Sequence, residues 1–366
     1  MAATGSPRVR NTSSKAVNMV VDSGVKRVAV IGGDGIGPEV TAVALDVVEA
    51  AGVHLATTAF DLGAARYLRD GEVLSGATLD ELRGFDAILL GAVGPALGET
   101  RIPGGTLERG LLLRLRFELD TYINLRPFIG MPHSIAEGCD FVVIRENTEG
   151  AYAGEGGALR RGTPNEVATQ GSVNTRFGVE RCVRFAFELA MQRPDHRLTL
   201  VHKTNVLTFA GDLWQRVVDE VGAGFSDVHA DYLHVDAACI HLVERPDRFG
   251  VIVTDNLFGD ILTDLAGAVC GGIGFAPSAN LNPTGTGPSI FEPVHGAAHD
   301  IAGTGIANPI AAIWSAALML DALGEHVVAE RMTRAVLAEA RSLAEVPQSR
   351  TTEGIGRSVI SRLSDG

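Results

Sequence analysis

Four things are scarce in this chain, and each scarcity removes a class of protein. Basic residues are outnumbered: 31 Lys and Arg against 44 Asp and Glu give a formal net charge of −13. Nucleic acid requires basic surface to displace the counterions of its phosphates, so no nucleic-acid partner is expected. A small anion held by a few local arginines remains compatible with that balance. Cysteine is sparse, with Cys139, Cys182, Cys239 and Cys270 scattered without C-x-x-C spacing. This suits free thiols in a reducing compartment better than disulfides or zinc. No apolar run reaches the length of a membrane span, so no membrane partner is expected. Finally, the glycine-rich stretch G-G-D-G-I-G-P-E at 32–39 lacks a dinucleotide fingerprint, because Gly33, Gly35 and Gly37 fall at every second residue.

What is present describes a soluble α/β protein. The 366 residues are 46% apolar with 44 glycines, enough for a large core, many tight turns and two or three domains. Residues 1–24 are Ser/Thr/Asn/Gly-rich without periodicity and read as a disordered extension. A transit peptide and a true start at Met19 are the alternatives, and a cytoplasmic protein is expected. Short apolar runs at 25–31, 86–91, 141–144, 198–202 and 250–253 read as buried strands. Between them lie helical patterns such as Val40, Val43, Ala44, Val47 and Val48 behind Pro38. The alternation predicts a largely parallel sheet. Residues 153–175 are polar and Gly-rich, as in an arm or flap. An apolar helix over 310–323 precedes an amphipathic helix and a polar tail.

The most informative stretch is T-D-N-L-F-G-D-I-L-T-D, 254–264. Asp260 and Asp264 stand four apart, one above the other on a helix. Stacked carboxylates repel, and no cation lies beside them in the sequence. Mg²⁺ or Mn²⁺ relieves that repulsion; a solvated acidic face is the plainer alternative. Leu257, Phe258, Ile261, Leu262 and Leu265 between the acids favour a site. Elsewhere Arg109, Arg114 and Arg116 punctuate the apolar stretch 107–117, Arg126 follows, and Arg145 and Tyr152 come after the strand at 141–144. Lys203 and Asn205 end another strand, and Asp236 opens a helix. Such strand ends are where open α/β sheets bind ligands. Arginine forks with carboxylates and a lysine suit a hydroxylated, multiply carboxylated substrate.

These motifs together resemble the β-decarboxylating dehydrogenases of (R)-2-hydroxy acids, the isocitrate/isopropylmalate family. The resemblance runs from about Val28 to the C-terminus. It is carried by G-D-G-I-G-P-E, R-x-R-F with N-L-R-P, R-E-N-T-E-G-x-Y, K-T-N, the stretch 254–264, and E-P-V-H-G-A-A-H-D-I-A-G. It implies a two-domain α/β fold with a non-Rossmann cofactor site. One domain would comprise 25–121 plus 271–366, and a dimerisation and substrate/metal domain 122–270. It implies Mg²⁺ or Mn²⁺ on Asp260 and Asp264 with Asp236 from a second copy, hence a homodimer with shared active sites. Arg116, Arg126 and Arg145 would bind the substrate carboxylates. Lys203, also from the second copy, would take up the hydroxyl proton and Tyr152 would protonate the enol. NAD⁺ would lie along His295, Gly296, Ala297, Ala298, Asp300, Ile301 and Asn308, with Asn205 nearby. Asp300 suits a ribose diol and repels a 2′-phosphate, although the same residue can cap a helix.

Leu112 and Leu113, which would line the variable part of the substrate pocket beside Asp236, favour an apolar branch such as isopropyl. R-E-N-T-E-G is closer to isocitrate and tartrate/D-malate members, which leaves a paralogue acting on another 2-hydroxy diacid open. All of Tyr152, Lys203, Asp236, Asp260 and Asp264 are present, unlike in the family's non-catalytic regulatory subunits.

Overall fold

The protein is described from a computed structural model covering residues 24–346 and 350–364. The extension read at 1–24 and the choice of Met19 as start therefore fall, but for residue 24, outside the described residues.

Among the described residues twelve strands occur in chain order: β1 Arg27–Gly33, β2 Ala56–Ala59, β3 Ala87–Ala92, β4 Ile123–Ile129, β5 Asp140–Glu146, β6 Gly156–Leu159, β7 Val167–Gln170, β8 Arg197–His202, β9 His229–His234, β10 Val251–Thr254, β11 Pro277–Leu281 and β12 Ser289–Pro293. Ten form one sheet in the order β2-β1-β3-β12-β11-β4-β5-β10-β8-β9. The pairs on either flank are parallel, as the alternation of strands and helices predicts. In the middle, β12–β11, β11–β4 and β4–β5 are antiparallel. Three successive reversals leave the two flanks running in opposite directions.

Both faces of each flank are covered. Val28, Leu89 and Phe291 pack with the helices Gly37–Ala50 and Ile310–Ala322, and Ile31, Ile88 and Leu90 with Leu79, Leu111 and Leu115. On the other flank, Ile144, Leu200 and Val253 pack against Val183 and Trp214. The opposite face carries Phe141, Val143 and Ile252 under the helices Val235–Glu244 and Asn256–Val269. Along β4 and β5 this second face ends in charge: Asn124 stands opposite Arg145 and Arg126 opposite Val143. Side chains alternate along a strand, so both arginines share the face of Phe128 and Phe141 and emerge beneath Asn256–Val269.

Two expectations change. The C-terminal region holds two helices, His326–Glu345 and Thr352–Arg362, in place of one helix and a polar tail. Ile355 and Val359, four apart in a polar stretch, are buried in the same core as Val43 and hold the second helix in place. The stretch around 107–117 opens as a wide π-helix over Glu108–Leu113 before α-helix resumes at Arg114–Glu118, a departure from regular helix often found at functional sites. Residues 156–170 form an exposed antiparallel hairpin, β6 and β7.

Candidate active site

The site is built on the helix Asn256–Val269. Asp255 caps it, its carboxylate accepting from the Phe258 N–H at 2.7 Å. Two turns of this helix carry Asn256, Gly259, Asp260 and Thr263 toward the arginine-bearing face of the sheet.

Asp260 is not alone. The fold brings Arg145, distant in sequence, within 2.5 Å of its Oδ1, and the Tyr152 hydroxyl donates to its Oδ2 at 2.7 Å. The absence of a neighbouring cation was true of the sequence only. Burial works against ionisation of Asp260, but the Arg145 charge, the Tyr152 hydrogen bond and Arg126 overcome it and hold the carboxyl below its usual range. Asp264, one turn on, is exposed.

Three guanidiniums gather here. Arg126 donates to Thr263 Oγ1 at 2.5 Å, and Arg116 to Glu292 Oε1 at 3.1 Å. Burial first, then repulsion from Arg145 and Arg116, pushes Arg126 down to about 10. Arg145 is lowered for the same reasons, burial first and Arg116 second. Arg126 and Arg145, both depressed by burial and by neighbouring guanidiniums, form with Arg116 a strongly anion-seeking site. Tyr152 is half-buried, with the Arg145 guanidinium 5.2 Å from its ring centroid. Burial, together with the Asp260 hydrogen bond and charge, raises its phenol above the usual value, so the hydroxyl keeps its proton.

Lys203 and Asp236 form a separate ion pair with each other. No hydrogen bond or ion pair joins them to the arginine cluster among the described residues, and no three His, Cys, Asp or Glu groups converge there as a metal cage. Of the two leucines, Leu112 packs on the core beside Leu111 and Leu115, whereas Leu113 is half-buried outside it. Arg109 is exposed, and Arg114 donates to Leu74 O at 2.6 Å, a structural role.

The loop 295–308 leans on the glycine-rich loop near the N-terminus. Ile36 N–H donates to Ala297 O at 2.8 Å, and a Cβ on Gly35, at φ +57°, would stand 1.8 Å from that oxygen. Close approach to this loop explains Gly35. His299 Nε2 meets Gly94 O at 2.7 Å. His295 is buried, which lowers its imidazole, and its Nε2 has no partner among the described residues. Gly296 faces open space, and Asp300 and Asn205 are exposed. Ala298 adopts φ +39°, Ile301 packs on the core, and Asn308 Oδ1 accepts from Ile310 N–H.

Arg145, Asp260, Lys203 and Asp236 stand at or follow the carboxyl ends of the mutually parallel strands β5, β10, β8 and β9, as expected of strand-end ligand groups. Arg126 is the exception, standing in mid-strand on β4. Because the two flanks run oppositely, their strand ends lie at opposite edges. Sequence reasoning missed Asn256 and Thr263, which bind Arg145 and Arg126, and Glu292, which binds Arg116. Asn256 and Thr263 sat inside the stretch singled out but read as turn and helix residues; Glu292 sat in the E-P-V-H-G run.

Fold and site define an α/β enzyme acting on a small, multiply anionic substrate. The isocitrate/isopropylmalate dehydrogenase family model matches residues 27–359, and the chain belongs to this family of oxidoreductases, which work with a nicotinamide cofactor and a divalent metal. It is 58% identical over 342 residues to the 3-isopropylmalate dehydrogenase of Mycobacterium tuberculosis H37Rv, covering 92% of this chain and 100% of that protein. It is 61% identical over 315 residues to that of Mycolicibacterium paratuberculosis, covering 85% and 92%. Among solved structures, the isocitrate dehydrogenase from Methylococcus capsulatus superposes with a TM-score of 0.84 at 34% identity, covering 93% of this chain and 99% of that one. Among the described residues no helix is long and apolar enough to cross a membrane.

Proposed function

We propose that the chain carries out the NAD⁺-dependent oxidative decarboxylation of (2R,3S)-3-isopropylmalate to 4-methyl-2-oxopentanoate and CO₂, through 2-isopropyl-3-oxosuccinate, in cytoplasmic leucine biosynthesis. The observation that carries this reading is the convergence of Arg116, Arg126 and Arg145 around Asp260. The names of its relatives, 57–61% identical, support it.

Two carboxylates of a malate skeleton suit three guanidiniums. Leu113, with Leu112 behind it, would meet the isopropyl branch. Asp260 and Asp264 are hard oxygen donors of the kind Mg²⁺ or Mn²⁺ takes. With Asp236 of a second copy they would hold the ion, which when bound supplies positive charge against the negative charge developing on substrate oxygen. The open backbone at Gly296 and the exposed Asp300 suit NAD⁺, and Asn205, His295, Ala297, Ala298, Ile301 and Asn308 complete that surface. Lys203 Nζ of the second copy would take the substrate hydroxyl proton, and NAD⁺ when bound would supply the hydride acceptor. Tyr152, whose hydroxyl stays protonated, would deliver a proton to the enol carbon once CO₂ has left.

The homodimer is supported by an apolar outward face on two packed helices, Ile240 and Val243 on one, Leu257 and Ile261 on the other. The separation of Lys203 and Asp236 from the arginine cluster supports it too. The division at 25–121 plus 271–366 and 122–270 fits the two flanks of the sheet. NADH formation with NAD⁺ and Mn²⁺ tests the reading, with 3-isopropylmalate, D-malate, tartrate and isocitrate in parallel. Preference for 3-isopropylmalate is expected; preference for another diacid overturns the substrate, and turnover of none overturns the enzyme.

A further inference from the structure

Arg145 is 1% exposed, and most of its hydrogen-bonding capacity is already committed. Nε and Nη2 both donate to Asn256 Oδ1, at 3.0 and 2.8 Å, and Nη1 donates to Asp260. A guanidinium carries five N–H groups, so the two left over lie on Nη1 and Nη2. The arginine stem rests on the helix itself: a Cβ on Gly259 would stand 2.4 Å from Arg145 Cγ. Asn256 is fully buried. Its amide nitrogen donates to Glu149 O at 3.1 Å, which ties the turn leading to Tyr152 onto the same helix.

An unconstrained arginine offers a carboxylate two edges, the Nε/Nη2 side and the Nη1/Nη2 end. Asn256 fills the first. A neutral amide does this without cancelling the cation, whereas a carboxylate there would take the same N–H groups and neutralise it.

We propose that Asn256 is a positioning residue that orients the bound diacid. It closes the side edge of Arg145, so that a substrate carboxylate meets only the terminal nitrogens, and it keeps the Tyr152 turn in register with that arginine. The inference rests on the reading of the site as one for a 2-hydroxy diacid.

The test uses the full-length Asn256→Ala and Asn256→Asp variants, with KM for 3-isopropylmalate and for NAD⁺, calorimetric binding of 3-isopropylmalate with Mn²⁺, and thermal melting. The diacid KM and Kd are expected to rise about tenfold for Ala and about a hundredfold for Asp, with the NAD⁺ KM staying within about twofold. The Asp variant, isosteric with Asn, serves should Ala not fold. Unchanged diacid binding in a folded variant overturns the proposal, as does a parallel rise in both KM values. Wild-type protein that neither binds nor turns over any 2-hydroxy diacid overturns the underlying reading and the proposal with it; a normal wild type beside unaffected variants overturns only the role of Asn256.

Discussion

Asp260 and Asp236 are read as ligands of one metal, yet their surroundings have little in common. Asp260 is half-buried and bound by Arg145 and Tyr152, with Thr263 and Asn256 behind the arginines. Asp236 lies on the surface with its side chain 67% exposed, and Lys203 is its partner. Both carboxyls are lowered, but differently: Asp260 against its own burial, Asp236 by the Lys203 hydrogen bond. The first region is a wall whose side chains are tied to one another by hydrogen bonds. The second is a loosely held pair whose acid and amine neutralise each other until something else arrives. A second copy bringing its own arginine wall would give that pair a different set of partners.

The strongest way to break this comparison is to damage the two regions in separate copies. Asp260→Asn and Lys203→Met are each expected to lower kcat by about a thousandfold, the loss of an electrostatic or proton-transfer group. Unfolded and refolded together, they should regain about a quarter of wild-type activity, because half the dimers are mixed and each has one intact site. Activity of the mixture that stays at the level of the single variants would mean that both regions serve the same protomer's site, and the contrast between wall and pair would lose its meaning.

The wall was only partly legible in the sequence. The acids of 254–264 stood out because they were spaced at one helical turn among apolar neighbours, and Arg145 and Tyr152 because they followed a strand-like run. The bond from Arg145 to Asp260 was not legible, since it spans 115 residues and depends on β5 lying beside β10. Asn256 looked like a turn residue because the groups that bind an arginine are the same groups that end or cap helices. The reversal of the two flanks escaped for a related reason. It depends on β4 pairing with β11, strands about 150 residues apart, and short apolar runs carry no mark of direction. That the pair Lys203–Asp236 would stand apart from the cluster was legible only through the family resemblance, which assigned both residues to a second copy.

A second prediction sharpens the account of the wall. Glu146, buried at the end of β5, accepts from Thr148 N–H and Oγ1–H and from Glu149 N–H, and so shapes the turn toward Tyr152. Burial raises its carboxyl from 4.5 to about 7 despite those donors, and the Glu149 charge adds to the effect; buried Cys182 is the other titratable group beside it. An acid raised in the folded state binds more protons there than in the unfolded chain. Stability therefore falls as pH rises between the two values, by at most about 3 kcal/mol. Melting curves from pH 4.5 to 8 should show this decline in the wild type and a flatter profile in Glu146→Gln. Equal slopes would show that the turn does not strain a charge to hold Tyr152. Asp236, whose carboxyl is lowered by the Lys203 hydrogen bond, should add nothing to the slope in this range.

The smallest expected effect concerns the helix that carries the wall. Asp255 Oδ1 caps it through Phe258 N–H, and its Oδ2 lies 3.5 Å from Nε2 of fully buried His202, the residue before Lys203. Asp255→Ala should cost about 1 kcal/mol, the usual value of an N-cap, and Asp255→Asn should recover most of it. If the cap acts only on its own helix, the diacid KM will rise slightly through Asp260 and Arg145 while the Lys203-dependent pH profile of kcat stays where it was. A shifted profile in both variants would mean that the contact to His202 transmits strain to Lys203. The wall and the pair would then be joined through the interior of one protomer, by the acid that caps one region and touches the residue beside the other.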